Sequence, residues 1–420
     1  MRFAFALSST LIVACSLLTN LSDLGGSDAG SDALPDVAPN DFALFLAPSV
    51  AALNPGDPPI TITIDVVRGS SFTGTIDFMV TGAPVGIMPT TPTPAIASQT
   101  TSSFGLGIAG ALKGQYAIVV TGTSGSLAKQ ATLPLYVDTT LAPDDAGVVI
   151  VPSWAGSLDG KAWGAGGGGG GQGGVTKGAQ GGGGGFASGT FAAAAGSKWT
   201  LVSGTGGQSC TGDCGGGGGG FSGLMDPSGN WVLIAGGGGG GGAFDSSGGG
   251  SGIGGGGGGG KTGQNALFSS CPATGGTQSK GGSGGCVMVV NVLKYGGDGG
   301  AFEGGAAGPP ELANFGGGGY PGGGSTSSAG SCGAHGGGGG GGGGFFGGGG
   351  GVFSCTTPGY GSGGGGGSGF VDPKGSNGVN DAADASVCAH ASDPDLTSPC
   401  NGGDAGASGA AGWVIVRAKP

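Results

Sequence analysis

Trp231-Val-Leu-Ile-Ala-Gly-Gly-Gly-Gly-Gly-Gly-Gly242 sets a short apolar run directly against seven consecutive glycines. The first five residues have the length and composition of a buried strand. The glycines bring no side chain to a core, yet the pattern recurs along the chain. Further runs are Gly166 to Gly171, Gly181 to Gly185, Gly215 to Gly220, Gly254 to Gly260, Gly336 to Gly344, Gly347 to Gly351 and Gly363 to Gly367. One reading is a flexible low-complexity tail, because glycine loses more backbone entropy on ordering than any other residue.

Three features favour order. Trp154, Trp163, Trp199, Trp231 and Trp413 all lie in this part of the chain. Strand-like runs punctuate it, at Gly147 to Pro152, Lys198 to Val202, Trp231 to Ala235, Val287 to Leu293 and Trp413 to Arg417. Cys210, Cys214, Cys271, Cys286, Cys332, Cys355, Cys388 and Cys400 are spread through it, enough for four crosslinks of roughly 2–4 kcal/mol each. Five to nine glycines in polyproline-II-like conformation span roughly 15–28 Å at about 3.1 Å per residue. Such rods pack side by side because no Cβ separates them. Their backbone donors and acceptors then pair between rods, and burial demands that nearly all of them do so.

Ahead of this region, 42–139 alternates apolar and polar residues in short runs. Phe42 to Leu46, Ile60 to Val67, Gly74 to Val80, Ser103 to Ile108, Tyr116 to Thr123 and Gln130 to Val137 read as strands. Turn-rich separators such as Asn54-Pro-Gly-Asp and Thr123-Ser-Gly-Ser complete the pattern of an antiparallel sandwich. Phe72-Thr-Gly-Thr-Ile and Gly114-Gln-Tyr-Ala-Ile-Val-Val-Thr-Gly-Thr-Ser-Gly give the segment a resemblance to bacterial immunoglobulin-like domains. That likeness puts Tyr116 where a tyrosine corner is expected, and it implies a spacer or an adhesive module.

The glycine-rich region, 146–420, also carries a resemblance. Ala162-Trp-Gly-Ala followed by Gly166 to Gly171, then Gly181 to Gly185 leading into Phe186-Ala-Ser-Gly-Thr-Phe, begins it. Phe221 to Met225, the turn Asp226-Pro-Ser-Gly-Asn, Trp231-Val-Leu-Ile-Ala-Gly-Gly-Gly and the closing Gly412-Trp-Val-Ile-Val continue it. Together they look like the glycine-rich ectodomain of the anaplastic lymphoma kinase and leukocyte tyrosine kinase receptors. The resemblance implies a β-sandwich joined to a layer of polyglycine helices, in a region that binds protein ligands. No kinase segment is present, so receptor signalling does not carry over. The expected fold is therefore all-β: an immunoglobulin-like β-sandwich, then a β-sandwich with a polyglycine-II helix layer.

The N-terminus reads as an address. Met1-Arg2, a mostly apolar stretch from Phe3 to Ala14 interrupted by Ser8, Ser9 and Thr10, and then Cys15 describe a secretory signal, 1–14. Leu11-Ile-Val-Ala-Cys15 resembles the lipobox of bacterial lipoproteins, in which cleavage precedes a cysteine that carries lipid. The alternative is an ordinary cleaved signal. Nine cysteines are an odd number, and committing Cys15 to lipid leaves eight. Residues 15–41 then form a hydrated tether, with Asp23, Asp28, Asp32, Asp36 and Asp41 spaced along it. Ser16 after the cysteine fits, by analogy with enteric lipoproteins, onward sorting to the outer membrane.

Charged residues are 9% of the 420, with a net charge of −11. The shortage of lysine and arginine argues against nucleic acid and against polybasic membrane binding. Acid–base chemistry has few candidates: His335, His390 and mostly aspartates, with glutamate only at Glu303 and Glu311. Gly255 to Gly260 with Lys261-Thr262 meets a phosphate-loop spacing, but Asp245-Ser-Ser-Gly-Gly-Gly-Ser-Gly-Ile before it cannot form the required strand, so no nucleotide is expected. Gly281-Gly-Ser-Gly-Gly mimics a nucleophile elbow without a credible triad histidine. Cys332-Gly-Ala-His335 with Cys388-Ala-His390 offers zinc donors, but export favours disulfides over metal. Asp372-Pro-Lys-Gly-Ser-Asn-Gly-Val-Asn-Asp381 has oxygen ligands without EF-hand spacing and reads as a solvated loop.

Eight cysteines allow 105 pairings, and proximity alone suggests Cys210–Cys214, Cys271–Cys286, Cys332–Cys355 and Cys388–Cys400. The functional expectation is a lipid-anchored protein of the bacterial cell envelope, at the outer membrane or cell surface. It would display a rigid head to a protein or polysaccharide ligand, with no cofactor, metal or catalysis. The alternatives are an envelope-associated hydrolase, which needs a carboxylate pair in a cleft, and a ligand-free structural coat protein.

Overall fold

The computed structural model describes residues 37–110, 113–171, 178–209, 214–243, 254–267, 271–289, 292–306, 337–352 and 361–420. Among them there are strands and no helix. The lipobox and most of the tether lie outside the described residues.

The first unit runs β1 (Phe42–Ala47), β2 (Ala51–Leu53), β3 (Ile60–Arg68), β4 (Asp77–Thr81), β5 (Ile87–Pro89), β6 (Thr101–Ile108), β7 (Gly114–Ser124) and β8 (Leu127–Val137). Two four-stranded sheets, β1-β3-β6-β5 and β2-β8-β7-β4, face each other. Alternation works as strand geometry requires. Ile62, Ile64, Phe104 and Leu106 from one sheet meet Ile118, Val120, Leu133 and Leu135 from the other, all buried. Only β2 runs parallel to its partner, β8; the other pairings of this unit are antiparallel. The strand expected from Gly74 begins instead at Asp77, because Ile76 pairs with Ala95 rather than with β7. Tyr116 packs half-buried against this core.

A second sandwich follows. Its sheets are β18 (Ser376–Asp381), β11 (Phe186–Ala192), β10 (Ser157–Trp163), β19 (Trp413–Lys419), and β17 (Phe370–Val371), β14 (Trp231–Ala235), β13 (Ser222–Met225), β12 (Lys198–Val202), β9 (Val148–Ile150), each in spatial order. Leu158, Phe191, Val414 and Val416 pack on Trp199, Leu224, Val232 and Leu233 between them. The strand expected at Val287 to Leu293 is two: β15 (Cys286–Val289) and β16 (Val292–Tyr295) pair as a hairpin, Val289 opposite Val292.

The glycine runs prolong these strands. Residues 164–171 leave β10, 179–185 enter β11, 215–220 lead to β13, 236–243 leave β14, and 361–368 lead to β17. Their bonding has a period of three. From 236–243, the N–H groups of Gly237, Gly240 and Ala243 donate to Gly343, Gly340 and Gly337. Those of Gly238 and Gly241 donate to Ala165 and Gly168, and that of Gly239 to Gly256. The carbonyls of Gly236, Gly239 and Ala243 accept from Gly185, Gly182 and Gly361, and those of Gly238 and Gly241 from Gly219 and Gly216. All these bonds are 2.7 to 2.9 Å long. One rod is thus bonded to six neighbours: 164–171, 179–185, 215–220, 254–259, 337–344 and 361–368. Three residues per turn is the polyproline-II repeat. Successive donors point about a third of a turn apart, so an inner rod such as 236–243 reaches neighbours on every side.

The two sandwiches are joined closely. Leu141 N donates to Val416 O at 2.9 Å and Ala418 N to Thr139 O at 3.1 Å, so the connector lies along β19. Asn54 Oδ1 accepts from Thr139 N and Oγ1, both at 2.9 Å. Tyr136 and Trp154 stack across the junction with centroids 3.9 Å apart.

A Cβ on Gly239 would fall within 3.0 Å of backbone atoms of Gly364 and Gly365, where no flexible side chain can yield. Gly239→Ala is expected to cost about 3 kcal/mol, as for an overpacked core. Gly107→Ala, whose Cβ would meet only the Pro59 ring at 3.7 Å, should change stability by less than about 1 kcal/mol. Urea unfolding of both variants measures the contrast; equal midpoints would refute the close-packed layer.

Candidate functional site

The described residues concentrate their buried charge on the outer face of the β18-β11-β10-β19 sheet. In β10, Leu158 and Ala162 enter the core, so Asp159, Lys161 and Trp163 face outward. In β19, Val414, Val416 and Ala418 enter it, leaving Trp413, Ile415, Arg417 and Lys419 outside. A loop from Ala382 to Asn401 covers part of this face.

Near the glycine layer the cover is apolar. Trp163 and Phe186 are buried against Cys388, Ala389 and Cys400, with Leu396 and Ile415 at the edge. Cys388 and Cys400 form a disulfide. Trp163 Nε1 is buried without a hydrogen-bond partner among the described residues.

Farther from the layer the cover is ionic. Lys161 Nζ donates to Asp393 Oδ2 at 2.9 Å and to Asp395 Oδ2 at 2.8 Å. The Arg417 guanidinium takes the other Asp395 oxygen. Asp395 N donates to Asp393 Oδ1 at 2.9 Å. Beside them, Asp159 accepts from Thr190 Oγ1 at 2.7 Å and pairs with Lys419. Burial pulls the Lys161 ammonium below its ordinary range, but the hydrogen bonds and charges of Asp395 and Asp393 outweigh it, and the net shift is upward. At the rim, His390 Nε2 lies 2.8 Å from Asp381 Oδ2 and its ring stands 4.2 Å from Phe186.

The fold brings two carboxylates together here, beneath the loop. The geometry is that of a clamp: both Asp395 oxygens are bonded to cations, and Asp393 is bonded to Lys161 and to the loop's own backbone. Its contacts fasten the loop to the sheet.

A second cluster covers the outer face of the other sheet. Phe221 is buried and meets Trp231 edge-on at 5.1 Å. Half-buried Trp231, Phe302, Phe345 and Phe370 continue it, with Phe345 stacked on Phe370 at 4.5 Å. A Cβ on Gly223 would meet the Trp231 ring at 2.9 Å, so glycine makes room for that indole on the sheet. Phe302 holds a φ of 66°, unusual for an aromatic residue, at the turn that brings it in. An open cavity of about 190 Å³ at the junction of the sandwiches is lined by Lys113, Tyr136, Asp138, Thr140 and Trp154, among others.

The residues singled out in the sequence fall as follows. Cys271 and Cys286 are bridged, and Cys214 is disulfide-bonded. Cys15, Cys210, Cys332, Cys355 and His335 lie outside the described residues. Cys388, a zinc candidate, has its sulfur in a bridge, and among the described residues no metal-ligand cluster forms. Asp372 caps a turn through Lys374 N, whereas Asp381 faces His390 at the far end of β18. Gly255 to Gly259 is a rod of the layer, and no helix follows Lys261-Thr262. Ser283 is bonded to Thr274 within the layer. No sequence pattern marks the clamp as a unit. Its one signal is Asp393-Pro-Asp395 between Cys388 and Cys400, two acids in a crosslinked loop with few cations to meet them.

No protein-family profile matches the sequence, and no curated protein matches it.

Asp395→Ala strands Arg417 and leaves Lys161 with Asp393 alone beneath the loop, and should destabilise the fold by about 3 kcal/mol, measured by chemical denaturation. A change within about 0.5 kcal/mol would mean the clamp is idle. The pH dependence has a definite sign. Because the Lys161 pKa is raised on folding, its contribution is complete below its ordinary value of 10.5 and is lost as pH climbs through the raised value. The melting-temperature difference between wild type and Lys161→Met should therefore be flat at neutral pH and shrink only above pH 10.5.

Proposed function

We propose that the chain is a lipid-anchored surface protein, held to a bacterial envelope membrane through Cys15, whose head is displayed to a protein or polysaccharide partner and does no catalysis. On this reading the immunoglobulin-like sandwich is a spacer, and the glycine-rich head, akin to that of the receptor ectodomains, is the presenting surface.

The observation that carries the proposal is the bonded connection between the two sandwiches. The connector bonds along β19, Asn54 holds Thr139, and Tyr136 stacks on Trp154. A spacer transmits position only if its joint is fixed, and loosely linked domains move by default. The clamped carboxylates support a non-catalytic role, since their oxygens are engaged. The half-buried aromatic cluster around Trp231 and Phe302 supports a binding one, because aromatic side chains combine contact area with low entropy cost.

Two measurements test it. The intact mass of protein taken from its native membrane should correspond to a chain starting at Cys15 with added acyl groups, and Cys15→Ala should release it. An unlipidated, membrane-free wild type would overturn the anchor. Saturable binding of the purified head to envelope or cell-surface extracts is expected. Its absence, with unchanged adhesion and altered surface texture in a disruption strain, would favour the coat-protein alternative.

A further inference from the structure

The chain contains two Asn-Gly pairs, Asn377-Gly378 and Asn401-Gly402. In this dipeptide the backbone nitrogen after asparagine can attack the side-chain amide, because glycine offers no Cβ to hinder it. The fold treats the two pairs in opposite ways.

Asn401 is tied on every side. Its Oδ1 accepts from Cys388 N at 3.0 Å, its carbonyl from Ala410 N at 3.0 Å, and it follows the bridged Cys400. Gly402 N, the nucleophile, donates to Ser386 O at 2.8 Å. Attack there would require that bond and the amide's own bond to break inside the capped loop.

Asn377-Gly378 differs in exposure and in what holds the side chain. Both residues are exposed on β18, at the outer edge of its sheet. The register with β11 breaks here: Thr190 faces Ser376 and Ser188 faces Val379, so Asn377 and Gly378 share one opposing residue in a β-bulge. Asn377 holds a left-handed φ of 54°. Its side chain is held by one long contact, Nδ2 to Thr190 Oγ1 at 3.4 Å, which does not engage the carbonyl that would be attacked.

We propose that Asn377 is a site of spontaneous succinimide-mediated deamidation in the folded protein, and that Asn401 is protected from it. The deprotonated Gly378 nitrogen attacks Asn377 Cγ, the N–Cγ bond forms, the Cγ–Nδ2 bond breaks, and ammonia leaves with the displaced proton. Water then opens the ring. Cleavage between nitrogen and Cγ gives aspartate; cleavage between nitrogen and the former backbone carbonyl gives β-linked isoaspartate. No oxidant or enzyme is needed. The product places a carboxylate beside Thr190, whose hydroxyl already donates to Asp159, and removes the donor that Nδ2 supplied. Aging would thus add negative charge at one defined edge of the head.

The test is peptide mapping by mass spectrometry of the folded protein held in mildly alkaline buffer, against the reduced and denatured chain as reference. Conversion at Asn377 should be at least about tenfold faster than at Asn401 in the folded protein, equivalent to about 1.4 kcal/mol of barrier. In the denatured chain the two should convert alike. The Asn377 rate should rise with pH, the product should include isoaspartate, and Asn377→Gln should abolish the acidic species on ion exchange. Retention of Asn377 in the folded protein, or equal conversion at both sites, would overturn the proposal.

Discussion

A glycine carbonyl can be reached by a neighbouring backbone N–H only where no Cβ stands between the chains, and the head of this protein rests on that allowance. Gly236–Ala243 meets six surrounding rods through backbone bonds of normal length. A methyl group on Gly167, Gly182, Gly239 or Gly364 would lie within 3.0 Å of a neighbouring rod's backbone. The layer is therefore close-packed backbone against backbone, with only small side chains such as Ala165, Ala243, Ser362 and Ser368 buried in it. Its cohesion is directional, since each bond needs a donor and an acceptor at the right height, whereas apolar packing tolerates sliding.

Such a layer is weak at its margins. Ordering one residue costs about 1–2 kcal/mol of backbone entropy. One intramolecular hydrogen bond returns about 1 kcal/mol net. A rod bonded on one side alone would fray. The structure answers by making five of the rods continuations of strands, so each of these is fixed in position by a conventional apolar sandwich where it enters the layer. The Cys388–Cys400 and Cys271–Cys286 bridges restrain loops at the layer's flanks. The clamp of Lys161, Arg417, Asp393 and Asp395 belongs to the same logic, fastening a loop whose residues also bond Gly183 and Gly184 of a rod.

This division explains what could be read from the sequence. Lys198–Val202 and Trp231–Ala235 are strands where their apolar runs lie, and the spacing of the glycine runs already implied rods that bond to one another. The first sandwich was legible because Ile, Val and Leu alternate with polar residues over long strands. By contrast β2 and β5, three residues each, are too short to show a period. β10 was hidden for another reason. Ser-Leu-Asp-Gly-Lys-Ala-Trp looks polar, yet Gly160 faces the core, where a Cβ would meet Leu224 and Leu233 at 3.3 Å. The inward pattern there is one of small volume, not of hydrophobicity. The clamp was illegible because Lys161 and Asp395 are 234 residues apart, and only the topology of the sheet brings β10 and β19 side by side beneath the loop.

A core made of backbone has a consequence for the surface. In an ordinary domain, half of each strand's side chains are consumed in packing. Here the rods need no inward side chains, so the residues that are not glycine are free to serve as caps and faces. The aromatic group on one sheet and the disulfide-closed loop on the other are such caps, each seated where strands give way to rods. Their positions are set by the lattice of backbone bonds beneath them, and away from the clamp and the bridge a change in an exposed cap side chain leaves that lattice untouched. The fold therefore separates the sequence that holds the head together from the sequence that meets its surroundings. On the display reading, that separation lets the presented face vary while the scaffold stays fixed.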